Sequence, residues 1–376
     1  MSGVTVLLPT FNRAGLIAET IDSLLAQTRP VDEIIVINDG STDDTSAVLA
    51  PYGDRLRVLT KTNGGKSAAL NMGLAEARED RIWIADDDDI ILPDTAARLM
   101  GTLDADPTLD FCAGLHKDFT VDPATGAMTI HPPGHSRCSR PDEIFPDLLE
   151  GCHIFQPGLM VRRRVYGVSG PFRSDLVRSQ DYEMILRIAR KNRGVVIPEV
   201  VFLHREHEGD RGSSELRFSA DQNATRWKTF NGIIFSSLLA DLQDEELLPA
   251  SLWQATPIER RARLAGMKRA CIMARQRMWP ECIATWDRLV MDDKAPLDAE
   301  ELALLDRSTS SPLGCPELFE DHGVQVALTA LARRNELGRF IVRRLARRVR
   351  WYLRKAIGDR DLGATWRVSR FLILAA

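Results

Sequence analysis

The chain of 376 residues is 44% hydrophobic and 27% charged, which allows an ordinary buried core and predicts two domains, or one large domain with an appendage. Its net charge of -4 excludes a globally basic nucleic-acid binder, so no nucleic acid is expected as a partner and any anionic ligand must meet a local patch. Six cysteines without a CxxC pair carry no metal-site spacing and read as buried small residues or free thiols.

In chain order, "VTVLLPT" (4–10) predicts a strand, and "LIAETIDSLLAQT" (16–28) a helix with Leu16, Ile17, Ile21, Leu24 and Leu25 on one stripe. "DEIIVINDGS" is a second buried strand, "TDDTSAVLAPY" a short helix, "LRVLT" a third strand, and "GGKSAALNMGLAEA" a helix opened by paired glycines. "RIWIADDDDI" closes the series as a fourth strand. Strand and helix alternating at this pace predict βαβ units and an α/β fold with a mostly parallel sheet. Residues 111–150, with "DPATG" and "HPPGH", predict a hairpin or loop over the sheet edge. "HIFQPGLMVRRRVY" reads as a strand running into a helix, "SQDYEMILRIARKN" (179–192) as an amphipathic helix with Asp181 in its first turn, and "VVIPEVVFLHRE" as a strand pair.

After about residue 213 the pattern is helical. The expected organisation is a catalytic domain over 1–213, an α-helical domain over 214–338 and a basic amphipathic tail over 339–376. In "FIVRRLARRVRWYLRKAIGDRD", Ile341, Leu345, Val349 and Tyr352 recur at helical spacing while Arg343, Arg347, Arg350 and Arg354 line another face. Such a helix suits an anionic membrane surface, or packs on the second domain with its basic face solvated. No stretch approaches the ~20 apolar residues that span a bilayer, and "MSGVTVLLPTFNRAG" has too short an apolar run for a signal peptide. A cytoplasmic protein is expected, meeting a membrane only from its inner face.

In a parallel sheet, ligands gather outside the carboxyl ends of the strands. There lie Thr10 to Arg13, Asn38 to Ser41, Asn63 to Lys66 and Asp86 to Asp89. Four adjacent aspartates at the end of a buried strand are costly unless a positive charge sits among them, and Mg²⁺ or Mn²⁺ prefers such oxygens. Lys66, after Gly64 and Gly65 at a helix N-terminus, suits phosphate. The spacing is not a P-loop, and no GxGxxG is present. Together these residues suggest a nucleotide diphosphate held by metal.

"PTFNR", "VINDGSTDDT", "NGGKSAALNMGL", "ADDDDIILP", "SGPF" and "QDYEMILRIA" follow the order and spacing of the family 2 glycosyltransferases, and the resemblance covers roughly residues 1–210. It implies a GT-A fold and an inverting transfer from a nucleotide-diphosphate sugar, by default a UDP-sugar, to a hydroxyl of a glycan or lipid-linked acceptor in cell-surface polysaccharide biosynthesis. Residue by residue, Pro9, Thr10, Phe11, Asn12 and Arg13 would line the nucleotide pocket and Asp39 would contact the base. Asp86 and Asp88 match the DxD motif, the first near ribose and metal with Asp87 beside it, the second coordinating Mn²⁺ or Mg²⁺; Asp89 is a neighbouring candidate. Asp181 matches the acidic residue taken as catalytic base. "HREHEGDRGSS" resembles the segment that closes the active site, which makes Arg205 a candidate phosphate contact and His207 a candidate metal or phosphate contact.

Two departures bear on function. Gln180 stands where the family commonly has Glu. In "QNATRW" three residues separate Gln222 from Arg226, unlike the QxxRW of processive synthases, so one sugar per encounter is expected. The competing readings are a catalytically silent nucleotide-sugar-binding or scaffold protein, and a sugar nucleotidyltransferase, whose Gly-rich signature "PTFNR" replaces.

Overall fold

Strand β1 (Val4–Thr10) is buried along its whole length, and β2 (Glu33–Asn38) nearly so, as expected of parallel strands covered on both faces. This computed structural model describes residues 3–132, 137–206, 211–212, 217–218, 223–311 and 314–374. His207 and Gln222 lie outside the described residues. β3 (Arg57–Thr60), β4 (Arg81–Ile84), β5 (Ile90–Ile91), β6 (Phe111–Val121), β7 (Met128–Ile130), β8 (Leu159–Arg162) and β9 (Gly194–Arg205) complete a nine-stranded sheet. Its order is β3-β2-β1-β4-β8-β6-β9-β5, with β7 hairpinned onto β6. A two-residue pair, β10 (Arg211–Gly212) and β11 (Arg217–Phe218), follows.

β1 pairs in parallel with β2 and β4, and β2 with β3, through the crossover helices α1 (Ile17–Leu25), α2 (Thr45–Leu49) and α3 (Lys66–Glu76). β8 is antiparallel to both β4 and β6, and β6 is parallel to β9. The carboxyl ends of β1, β2, β4, β6 and β9 therefore share one edge. α1 and α4 (Thr95–Ala105) cover one face, where Ile17, Ile21, Leu24, Leu99 and Leu103 join Val6, Leu8, Val36 and Trp83 in one core. α3 lies close over β1 and β2 at Gly73, where a Cβ would stand 2.9 Å from Ile37 Cδ1 and 3.1 Å from Leu7 Cδ2. α5 (Ile144–Glu150), α6 (Arg163–Ser169) and α7 (Gln180–Lys191) complete the helices up to β9.

The expected strand pair in "VVIPEVVFLHRE" is one strand, β9. Pro198 does not divide it, because it falls where the β6–β9 register slips between Ala113↔Val196 and Leu115↔Val200, so its missing N–H costs no ladder bond.

The chain divides into two compact units: residues 1–148 with 152–227, and residues 149–151 with 228–376. In the second, the part of α8 (Asn223–Asp241) from residue 228 onward, α9 (Ala250–Ala255), α10 (Ile258–Arg275), α11 (Trp279–Asp292), α12 (Ala299–Arg307), α13 (Glu317–Glu320) and α14 (His322–Arg334) precede the basic segment, which forms α15 (Glu336–Arg348), α16 (Arg350–Gly358) and α17 (Leu362–Leu374). Ile341, Val342 and Leu345 are buried, and Phe319 packs on Tyr352 and Phe371. Trp351, Ile357, Leu362, Trp366 and Ile373 are exposed. Among the described residues no helix is long and apolar enough to cross a membrane.

Glu150 is buried in this unit with Lys268 on Oε1 and Arg307 Nε 3.1 Å from Oε2. Burial alone would raise its carboxyl, but Lys268, Arg307 and Arg275 outweigh it and hold the group down at about 2. Glu150→Ala removes the buried carboxylate on which Lys268 and Arg307 converge and should cost about 3–5 kcal/mol, read from the urea midpoint. Because the folded carboxyl titrates near 2 against 4.5 when free, its stabilisation is complete above pH 4.5 and fades as pH falls towards 2, by about 3 kcal/mol in all. The Gln variant should lack this part of the acid dependence.

Candidate active site

The loops at the shared carboxyl edge are bound to one another. After β1, Asn12 adopts a left-handed conformation (φ 53°); its N–H donates to Ser41 Oγ at 2.9 Å, and its Oδ1 accepts from Thr42 N at 2.7 Å. Arg13 N donates to Thr45 Oγ1 at 3.2 Å. A non-glycine residue held at positive φ by such bonds is a mark of functional loops. Pro9 is buried within β1 opposite Ile37, the Thr10 carbonyl accepts from Asp39 N at 2.9 Å, and Phe11 is half-buried beside them.

Asp39 is buried at the end of β2 with both oxygens engaged. Oδ1 accepts from Lys61 Nζ (2.6 Å) and Gly64 N (3.0 Å), and Oδ2 from Gly65 N (2.7 Å) and Asn63 Nδ2 (3.2 Å). These four bonds match the acceptor capacity of a carboxylate. They fold the 61–65 turn, in which Gly65 takes φ 85°, and so aim Lys66 from the start of α3.

Lys66 Nζ lies 2.5 Å from Asp86 Oδ1. Burial pulls this ammonium down, but Asp86, Asp181 and Asp88 outweigh it and raise it. Asp87 pairs with Arg13 at 3.7 Å, joining the β1 and β4 loops. Burial and the charge of Asp88, against the pull of Thr10 and Arg13, push its carboxyl up to about 7. Asp89 is buried beneath the turn: Oδ1 accepts from Arg205 N at 2.9 Å, and Oδ2 has no hydrogen-bond partner among the described residues. Burial, then Asp88 and Asp86, raise its carboxyl well above the usual range.

Arg205, expected on phosphate, grips the acidic turn from behind. Nε donates to the Asp88 carbonyl at 2.7 Å, Nη2 pairs with Glu19, and the guanidinium lies 4.5 Å from the centre of the Phe119 ring. Thr20 Oγ1 donates to the Asp89 carbonyl at 2.7 Å.

Asp181 stands in the first turn of α7, behind Ser179 at φ 60°, and its charge reaches both Lys66 and the Cys152 thiol, which burial foremost holds up. The link between α3 and α7 is the "SGPF" turn: Asn71 exchanges two bonds with the Phe172 backbone (2.8 and 2.9 Å), and Arg187 Nη2 donates to the Pro171 carbonyl at 2.8 Å. Gln180 Oε1 is buried with no hydrogen-bond partner among the described residues.

The donor set is chemically suited to a hard divalent cation. Asp86 and Asp88 are half-exposed on one turn, and the ammonium of Lys66 already shows that positive charge is accepted there. Among the described residues no group of three or more His, Cys, Asp or Glu side chains could hold a metal. Two carboxylates with substrate phosphates and water are what Mg²⁺ usually takes. Sequence reasoning missed Lys61, Glu19, Thr20 and Cys152; only Lys61, beside "NGGK", carried a local signal.

Residues 5–168 match the Glycosyl transferase family 2 profile. Curated relatives include uncharacterized glycosyltransferases of Rickettsia felis (28% identical over 264 residues, 65% of this chain and 39% of the relative) and Rickettsia prowazekii (28% over 230 residues, 57% and 67%). A chondroitin synthase of Pasteurella multocida is 28% identical over 189 residues, 50% of this chain and 19% of that one. The first of these alignments spans about two fifths of the relative's length. Among solved structures, S. aureus TarS 1–349 in complex with UDP-GlcNAc shares the fold, with a TM-score of 0.50 and 18% identity over 77% of this chain and 83% of that one. Residues 5–168 of the first unit thus resemble family 2 glycosyltransferases, on a GT-A-like fold.

Proposed function

We propose that the chain transfers one sugar from a nucleotide-diphosphate sugar, a UDP-sugar by default, to a hydroxyl of a glycan or lipid-linked acceptor with inversion, in cell-surface polysaccharide biosynthesis. The observation that carries the reading is the convergence of the Asp86, Asp88 and Asp181 charges on the Lys66 ammonium. Asp86 and Asp88 would hold Mn²⁺ or Mg²⁺, which when bound offsets charge on the leaving diphosphate. Lys66 pairs with phosphate oxygens at the α3 N-terminus. The Asp181 carboxylate takes the proton of the acceptor hydroxyl as its oxygen bonds to the anomeric carbon and the bond to the diphosphate breaks. Arg205, clamped to the Asp88 carbonyl, keeps the turn in place.

Nucleoside diphosphate released from a panel of nucleotide sugars, without acceptor and with Mn²⁺, Mg²⁺ or chelator, tests this. Metal-dependent release from one donor is expected. No release from any donor, with no metal-dependent nucleotide binding, would leave a silent binding protein.

The reading includes cytoplasmic work at the inner membrane face, supported by Trp351 and Trp366 exposed among Arg350, Arg354, Arg367 and Arg370. Sedimentation with phosphatidylglycerol vesicles should fall at least tenfold in the Trp351→Ser/Trp366→Ser double variant, and phosphatidylcholine vesicles should not bind. Equal sedimentation by parent and variant would rule out this surface.

A further inference from the structure

Beyond the acidic turn, the same carboxyl edge carries a second polar cluster that the transfer chemistry does not use. On adjacent parallel strands, Asp118 of β6 pairs in register with His204 of β9, and His116 with Phe202. Cross-strand partners share a face of the sheet. His204 Nδ1 lies 2.9 Å from Asp118 Oδ1, and His116 Nε2 lies 3.6 Å from the same oxygen. His116 is buried (4% exposed), between Phe155 at 4.4 Å and Phe202 at 5.3 Å ring to ring, while Asp118 (22%) and His204 (27%) reach solvent. The half-buried Phe155 ring stands 5.8 Å from that of His204.

We propose that Phe155, Asp118 and His204 form a saccharide-binding surface for the acceptor, so that the hydroxyl attacked belongs to a sugar and not to a bare lipid or an amino acid. This rests on the transferase reading and deepens it. An aromatic wall rimmed by a carboxylate suits a ring with one C–H face and several O–H donors, and the Asp118 charge disfavours phosphate. The position fits as well. Along the sheet, Asp39 ends β2, the acidic turn follows β4, and this cluster ends β6 and β9, so the base-to-phosphate direction continues into it. Phe155 is three residues from Cys152, whose thiol feels Asp181. His116, fixed between two rings, stands 3.6 Å from the Asp118 carboxylate.

Saturation-transfer NMR of the full chain with methyl glycosides of glucose, galactose, mannose and N-acetylglucosamine, with glycerol as control, is the test. At least one glycoside should receive saturation at its ring protons, reduced at least fivefold in Asp118→Asn and in His204→Gln, with glycerol silent. UDP-glucose and UDP-N-acetylglucosamine should leave the signal in place; displacement by either would assign the surface to the donor's hexose and overturn the acceptor assignment. No transfer to any glycoside, or transfer unchanged in both variants, would overturn the surface itself, and a lower melting temperature with unchanged transfer would reduce the pair to packing. Diphosphate release by the parent protein separates the two readings: donor turnover without glycoside binding sinks only this surface, and glycoside binding without donor turnover sinks only the transferase.

Discussion

Asp181→Asn should lower sugar transfer by about 10²–10⁴ while nucleoside diphosphate still binds. The amide keeps the size of the carboxylate and can still accept from Tyr182 N, as Asp181 Oδ1 does at 2.8 Å, so α7 should keep its first turn. What it loses is the lone pair that takes a proton at neutral pH, and a general base contributes about 10²–10⁴ in rate. The substitution also removes one of the three carboxylates acting on Lys66, which lessens the competition for phosphate while the Asp86 pair remains. Affinity for UDP, measured by calorimetry, should therefore stay level or rise slightly while turnover collapses. Undiminished turnover would take the base role from Asp181, and lost UDP binding would mean that the residue holds the site together.

How far the site could be read in advance follows from the range of each contact. "VTVLLPT" and "DEIIVIN" are continuous apolar runs because both faces of the sheet are covered, and that alternation with helical spacing was enough for a mostly parallel α/β sheet. "IADDDDI" showed four charges beside a buried strand, a local fact. The way those charges are held is not local: Asp89 meets Arg205 across 116 residues and Asn71 meets Phe172 across 101, and no spacing rule connects such positions. Arg205 was expected on phosphate because "HREHEGDRGSS" resembles the segment that closes the family's active site, and nothing beside it in the sequence marks the Asp88 carbonyl and Glu19 that its guanidinium meets. In the tail the apolar repeat was legible, but not its cover: Ile341 and Leu345 are buried in their unit, whereas Trp366 and Ile373 are exposed. Periodicity identifies an apolar face and leaves its partner unnamed.

Asp88→Asn should lower kcat/KM for donor turnover by about 10²–10³ at saturating Mn²⁺, and chelation should abolish turnover by the parent protein until Mn²⁺ or Mg²⁺ is restored. Charge offset at a leaving diphosphate is worth several kcal/mol, and each 1.4 kcal/mol is a decade in rate. Asparagine preserves the volume and the backbone carbonyl that Arg205 Nε holds at 2.7 Å, so the turn should survive while one of its anionic ligands is lost. The neighbours are poorly placed to substitute. Asp87 is paired with Arg13 and pushed up to about 7 by burial and Asp88, and Asp89 is buried against the Arg205 backbone. Removing the Asp88 charge also relieves both of them, so the variant should be at least as stable as the parent, with a melting temperature equal or higher. A stable, slowed variant that needs far more Mn²⁺ for half-maximal turnover is the expected pattern. Full turnover in chelator by parent and variant alike would show that Lys66 alone neutralises the diphosphate, and would return the aspartates to a structural role.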